Sequence, residues 1–316
     1  MKTVRIPMAC ALMVLLGTGA ARAQNNRATV QQVGNEHTAT DTQIGSRNVI
    51  DVSQAGTSNE ATATQAGNRN STSQTQNDRN AQATAYQVGN RNIISQSQEG
   101  RGTFTTSDAT AIQIGNDNLI SQAQVGNAVA TATQAGSRNS AQQSQTGRFL
   151  QATVTQVGNN NTAQQEQISN SHQALLTSVG NRNESLQRQT DIGNTAVGQQ
   201  TGNDNQLTQI QTGSSSVASA AQVGNRNLAD QRQNSSSNQA VIEQSGNDNR
   251  AYQVQAAGLS AGNQALIDQD SQNSFASQSQ SGFLNQARTY QGLSDQSSTV
   301  VQEGNSNVTT VHQNHP

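Results

Sequence analysis

Small or aliphatic residues stand two apart in short bursts along most of this chain. Ala28/Val30, Ile50/Val52, Ala61/Ala63, Ala83/Ala85, Ala109/Ala111, Ala152/Val154, Ala174/Leu176, Ala240/Ile242 and Ala265/Ile267 flank mostly polar residues. Period two is the mark of a strand with one buried face. Two residues after each pair comes a fixed mark. It is glutamine at 32, 43, 54, 65, 76, 87, 98, 113, 124, 134, 145, 156, 167, 189, 200, 211, 222, 233, 244, 255, 269, 280, 291, 302 and 313, with Ser178 in the one remaining place. Of the 25 steps between the 26 marks, 22 are eleven residues long. Such regularity predicts a stacked repeat.

After the mark comes x-Gly-Asn-x-Asn, as in Val88-Gly89-Asn90-Arg91-Asn92. Gly and Asn accept the positive φ of a tight turn, so each unit reads as a strand plus a turn. The candidate turn glycines are Gly67, Gly89, Gly115, Gly136, Gly158, Gly180, Gly202, Gly224 and Gly246. From Gln74 onward the residue two before the mark alternates: Gln74 then Ala85, Gln96 then Ala111, Gln143 then Val154, Gln231 then Ile242. The true period is therefore 22, with a glutamine-type and an aliphatic-type strand in each rung. The expected fold is all-β: a two-stranded-per-rung β-solenoid of about 13 rungs and two parallel sheets. The irregular steps, 98 to 113, 124 to 134 and 255 to 269, all follow a glutamine-type strand, so one edge tolerates insertions and the other is tight.

Stacking puts identical residues above one another at about 4.7–4.8 Å. An inward glutamine carries a carbonyl and an amide and can hydrogen-bond to its copies. The expected ladder residues are Gln74, Gln87, Gln96, Gln113, Gln122, Gln134, Gln143, Gln156, Gln165, Gln187, Gln200, Gln209, Gln222, Gln231, Gln244 and Gln253. The fourth residue after the mark reads Arg91, Asp117, Arg138, Asn160, Arg182, Asp204, Arg226, Asp248. That order predicts opposite charges side by side on neighbouring rungs.

Composition sharpens the picture. With 31% hydrophobic and 2% aromatic residues, a conventional core is not available. Lys2, Arg5, the apolar run Met8–Ala20 and Ala21-Arg22-Ala23 read as a secretory signal over 1–23. A lead over 24–27, solenoid over 28–313 and tail over 314–316 follow. Removing Lys2, Arg5 and Arg22 takes the net charge from −2 to −5, which argues against nucleic acid as partner. No transmembrane segment is expected. The only cysteine, Cys10, falls in the signal.

The pattern Gln-x-Gly-x-x-Asn-x-Ala-x-x-x-Gln resembles the curlin repeat of bacterial curli subunits. Gln65-Ala66-Gly67-Asn68-Arg69-Asn70 and Gln156 through Asn161-Thr162-Ala163 to Gln167 match it closely. The resemblance implies a subunit exported unfolded through outer-membrane secretion machinery and polymerising outside the cell as functional amyloid in a biofilm matrix. Its partners would be itself and a companion curlin subunit or nucleator. It also implies assembly-slowing Asp and Gly residues, for which Asp41, Asp191 and Gly198 are candidates. The minor, nucleating subunit is an alternative role.

Other classes are weighed on residues. Thr40, Thr62, Thr84, Thr110, Thr131 and Thr153 would form one outward row, and Thr42, Thr64, Tyr86, Ile112, Thr133, Thr155 and Thr177 a second. Such arrays suit an ice-binding face, but threonine is also a good exposed strand residue. A non-polymerising secreted adhesin is the other alternative. Carboxylates are scattered, so no catalytic residue, cofactor or metal site is expected. His312 and His315 read as part of a frayed tail.

Overall fold

The computed structural model describes residues 25–100, 106–256 and 262–314. The secretory signal expected over 1–23 lies outside them. Strands account for nearly all regular structure, numbered β1 to β24 in chain order from Arg27 to Gln313. Each strand pairs in parallel with the strand one rung on. Thus β1 (Arg27–Asn35) lies on β3 (Val49–Thr57), and β2 (Thr38–Ser46) on β4 (Glu60–Asn68). Register is residue for residue, Ala28 on Ile50 and Gln32 on Gln54. β9 (Leu119–Ser137) and β10 (Ser140–Asn159) each supply both arms of a rung. The 24 strands therefore make 13 rungs. At the usual strand spacing they stand roughly 60 Å tall.

The two expected sheets are present as two walls, but they are one continuous 24-stranded sheet. The reason is local. β9 and β10 carry pairing round the insertion-tolerant edge, with a register shift between Arg148 and Leu150. The short step from Gln124 to Gln134 leaves no residue for a separate turn there. Phe149 bulges out of β10 at φ 58° and is 68% exposed. Both longer insertions include residues outside the description.

Burial alternates strictly in the inner rungs. In β4, Ala61, Ala63 and Gln65 are buried while Thr62 and Thr64 are not. Between the walls, alanines dominate. Single large side chains, including Ile50, Ile94, Ile120, Leu150, Leu176, Leu207, Ile242 and Ile267, fill the wider spots. Gly198 is such an adjustment. A Cβ there would come 2.9 Å from Leu176 Cδ1 and would overlap Leu207. It makes room for two leucines. Asp191 is exposed in a turn at φ 69°, where a short polar side chain is tolerated.

Candidate functional site: the amide ladders

Three columns of glutamine run up the interior. The first joins Gln74, Gln96, Gln122, Gln143, Gln165, Gln187, Gln209, Gln231, Gln253 and Gln278, each Nε2 donating to the next Oε1 at 2.7–3.2 Å. A second runs through Gln43, Gln65, Gln87, Gln113, Gln134 and Gln156, and resumes from Ser178 through Gln200, Gln222, Gln244, Gln269 and Gln291 to Gln313. All sixteen expected ladder glutamines fall in these two columns.

The third column lies outside the expected ladder set although its residues are marks of the repeat, and it is the most complete. It spans Gln32, Gln54, Gln76, Gln98, Gln124, Gln145, Gln167, Gln189, Gln211, Gln233, Gln255, Gln280 and Gln302 without a break. It runs along the edge where insertions occur, so the ladder holds the rungs in line where the turns vary.

Beyond the first rung's Gln32, the ladder glutamines also tie one wall to the other. Nε2 of Gln165 donates to Gln187 Oε1 at 2.7 Å and to the Thr153 carbonyl of the facing arm at 3.0 Å. Most of the marks do the same to a carbonyl sixteen residues back, as Gln145 does to Val129, and beside the irregular steps Gln113, Gln134 and Gln269 reach Ile93, Leu119 and Arg250. One amide thus bonds along the stack and across it. This satisfies donors that would cost about 1–3 kcal/mol if buried unpaired.

Ser178 is the one weak step. Its hydroxyl reaches Gln200 Oε1 at 3.1 Å, but Gln156 Nε2 below it finds only the Ser140 carbonyl. Ser178→Gln should complete the column and stabilise the folded chain by about 1 kcal/mol, read as a higher urea midpoint. An unchanged or lower midpoint would mean that Leu176 and Ser185 leave no room for the longer side chain.

The turns correct one expectation. Glycine takes positive φ, 120° at Gly89, but the second positive-φ residue is the fourth after the mark rather than asparagine. Arg91, Asp117, Arg182, Asp204, Arg226 and Asp248 lie between 55° and 61°. The asparagine beyond is a buried ladder of its own on the tight edge: Asn48, Asn70, Asn92, Asn118, Asn139, Asn161, Asn183, Asn205, Asn227 and Asn249. Asn161 Oδ1 accepts the Asn183 backbone N–H at 3.0 Å, and its Nδ2 donates to the Gly180 carbonyl at 2.8 Å. The recurring Gly-Asn-x-Asn was the signal for this ladder. On the looser edge His172 takes the equivalent place, fully buried. Its Nδ1 accepts the Asn194 N–H, which leaves Nε2 to donate to the Ile168 carbonyl. Burial holds its pKa below the usual value.

The exposed charges pair as expected. Arg226 grips Asp248 with two hydrogen bonds of 2.7 Å, and Arg91–Asp117 and Arg182–Asp204 repeat the arrangement. The guanidinium hydrogen bonds hold all three carboxyls below the usual carboxylate range. The alternation does not reach the first rungs, where Arg47 and Arg69 share the turn position of Arg91. Exposed pairs contribute little. Arg226→Ala should leave the urea midpoint almost unchanged, with any difference shrinking further as salt rises. A larger, salt-insensitive loss would show that the side chain packs rather than pairs.

The two threonine rows are in register on the outer face, Thr40 through Thr153 on one line. Leu175 and Val197 continue that line. His312 is not frayed: it lies in β24 (Val308–Gln313), stacked on Tyr290 at 4.6 Å. His315 lies outside the described residues. Among the described residues, no three His, Cys, Asp or Glu side chains gather as a metal site would need.

The family model of the curlin associated repeat matches residues 23–56. That span takes in the whole first rung and most of β3. No curated protein matches the chain. The chain carries the curlin repeat, and the 22-residue register of the matched span continues to the thirteenth rung.

Proposed function

We propose that this curlin-repeat solenoid is a structural subunit of an extracellular, curli-like amyloid fibre, and that its role is mechanical rather than catalytic. The observation that carries this reading is the state of the two ends. Among the described residues, β1 and β2 pair only upward, and β23 (Ser297–Glu303) and β24 pair only downward. Stable monomeric solenoids cover such edges. Among the described residues no further strand covers either edge rung, and the last positions are in step with the first. Val300 and Gln302 hold the places that Val30 and Gln32 hold in the first rung.

In this reading an incoming chain docks its strands on an exposed edge rung and inherits the ladder register. Its partners are further copies, a companion curlin or nucleator, and an outer-membrane export apparatus. The test is refolding of residues 24–316 from denaturant, followed by thioflavin T with and without preformed seeds. A lag abolished by seeds, and fibres with a ~4.7 Å meridional reflection, are expected. A stable monomer that never forms fibres would overturn the proposal. The in-register threonine rows favour one second reading, an ice-binding solenoid, and an ice-recrystallisation assay on that monomer would test it.

A further inference from the structure

We propose that growth is polar, the C-terminal rung of one copy seating on the N-terminal rung of the next, and that Asp41 makes this contact conditional on a proton. The proposal rests on the fibre reading above. Polarity follows from the ladders. In all three columns the lower-numbered Nε2 donates to the higher-numbered Oε1. The N-terminal rung therefore ends in the Oε1 acceptors of Gln32 and Gln43. At the other end Gln302 commits its amide to the Gln286 carbonyl and Thr309 Oγ1, while Gln313 uses one amide proton on the Ser297 carbonyl and has a second to give to Gln43 of the next copy. Head-to-tail contact sets donor against acceptor. Head-to-head contact would set Oε1 against Oε1 and run the strands antiparallel.

At the seam Val300, Gln302 and Gln313 would meet Val30, Gln32 and Gln43, small Ser298 and Thr309 would meet Ala28 and Ala39, and one column alone would carry a charge. Asp41 occupies an inward position of β2, and the residues stacked over it are Ala63, Ala85, Ala111 and Ala132. Both its carboxyl oxygens are buried without a hydrogen-bond partner. Inward residues of the packed strands are Ala28, Val30 and Gln32 of β1, Ile50, Val52 and Gln54 of β3, and Ala63 above, none of them titratable. The nearby charged side chains face outward or lie in turns: Arg27 bonded to Asp51, Glu36, His37 and Glu60.

A docking rung would bring Val311 under Asp41, with Val300 and Gln302 alongside, and no cation. A carboxylate sealed there has no counter-charge, and burying an unpaired one is prohibitive. The neutral acid fits. Burial already raises the Asp41 pKa to about 6 in the open rung, so the proton is available in mildly acidic medium. The acid form is favoured by the folded chain below that value and lost as pH rises through it.

The experiment is seeded elongation of the full chain from pH 4.5 to 8. Wild type should slow by about tenfold per pH unit above pH 6. Asp41→Ala, which restores the alanine of the rungs above, should flatten the profile and elongate at least about tenfold faster at pH 7.5. Asp191→Asn, an exposed turn substitution that also removes one negative charge, should keep the wild-type profile. An Asp41→Ala profile that tracks wild type, or failure of that variant to elongate where wild type does, overturns the gate and leaves the fibre intact. Absence of fibres from every variant at every pH overturns the fibre reading itself, and this proposal with it.

Discussion

Gly158→Ala is expected to destabilise the folded chain by about 3–5 kcal/mol, while Gly193→Ala costs about 1 kcal/mol. Both glycines have positive φ, 117° and 74°, so conformational preference alone does not separate them. The surroundings do. A Cβ on Gly158 would overlap the carbonyl oxygen of Gly180, directly above it in the stack. Backbone cannot swing aside as a side chain can, so the rung must lift, and the Asn139 amide that donates to the Gly158 carbonyl at 2.8 Å is disturbed with it. At Gly193 the nearest atom is Ser215 Oγ at 3.6 Å, an ordinary contact. Urea midpoints of the two variants, measured on the soluble folded chain, decide the matter. Equal losses would show that φ, and not inter-rung crowding, demands glycine in the tight turns.

A comparable loss, again about 3–5 kcal/mol, is expected from Gln165→Ala. Three buried partners lose a bond at once. Gln143 Nε2 donates to Gln165 Oε1 at 2.9 Å, and the Gln165 amide serves Gln187 and the Thr153 carbonyl. A cavity is left where the side chain was. Gln164→Ala, one residue from the ladder but on the exposed side of the same strand, should lie within about 0.5 kcal/mol of wild type. The same chemical change one residue apart along the chain would thus separate ladder from surface. If both substitutions proved neutral, the amide columns would be passengers on a stack held by backbone pairing alone.

Much of this architecture is legible in the residue order. Gln74 followed by Ala85, and Gln96 by Ala111, distinguishes the two arms of a rung. The strict alternation in Ala61-Thr62-Ala63-Thr64-Gln65 tells inside from outside. The opposite charges of Arg226 and Asp248, 22 residues apart, anticipate their contact. These features survive because a parallel in-register stack turns sequence period directly into spatial neighbourhood.

Three features needed the tertiary structure. Nothing in Arg91 or Asp117 announces that each will adopt positive φ. That conformation is imposed by the turn between two walls, and the glycine two residues before it is needed where a carbonyl passes too close for any Cβ. Nor does Asn161 declare itself a ladder residue rather than a turn former, because asparagine serves both ends equally well. Asp41 shows the same division most clearly. Sequence places it inward by parity alone. Only the packed rungs reveal that no donor or cation faces it in the first described rung. Period, parity and arm identity are properties of one repeat compared with its copies, so the sequence by itself determines them. The direction of the amides, the conformation of the turns and the isolation of one carboxyl depend on which atoms of adjacent rungs come within about 3 Å, and that is decided by pitch and packing.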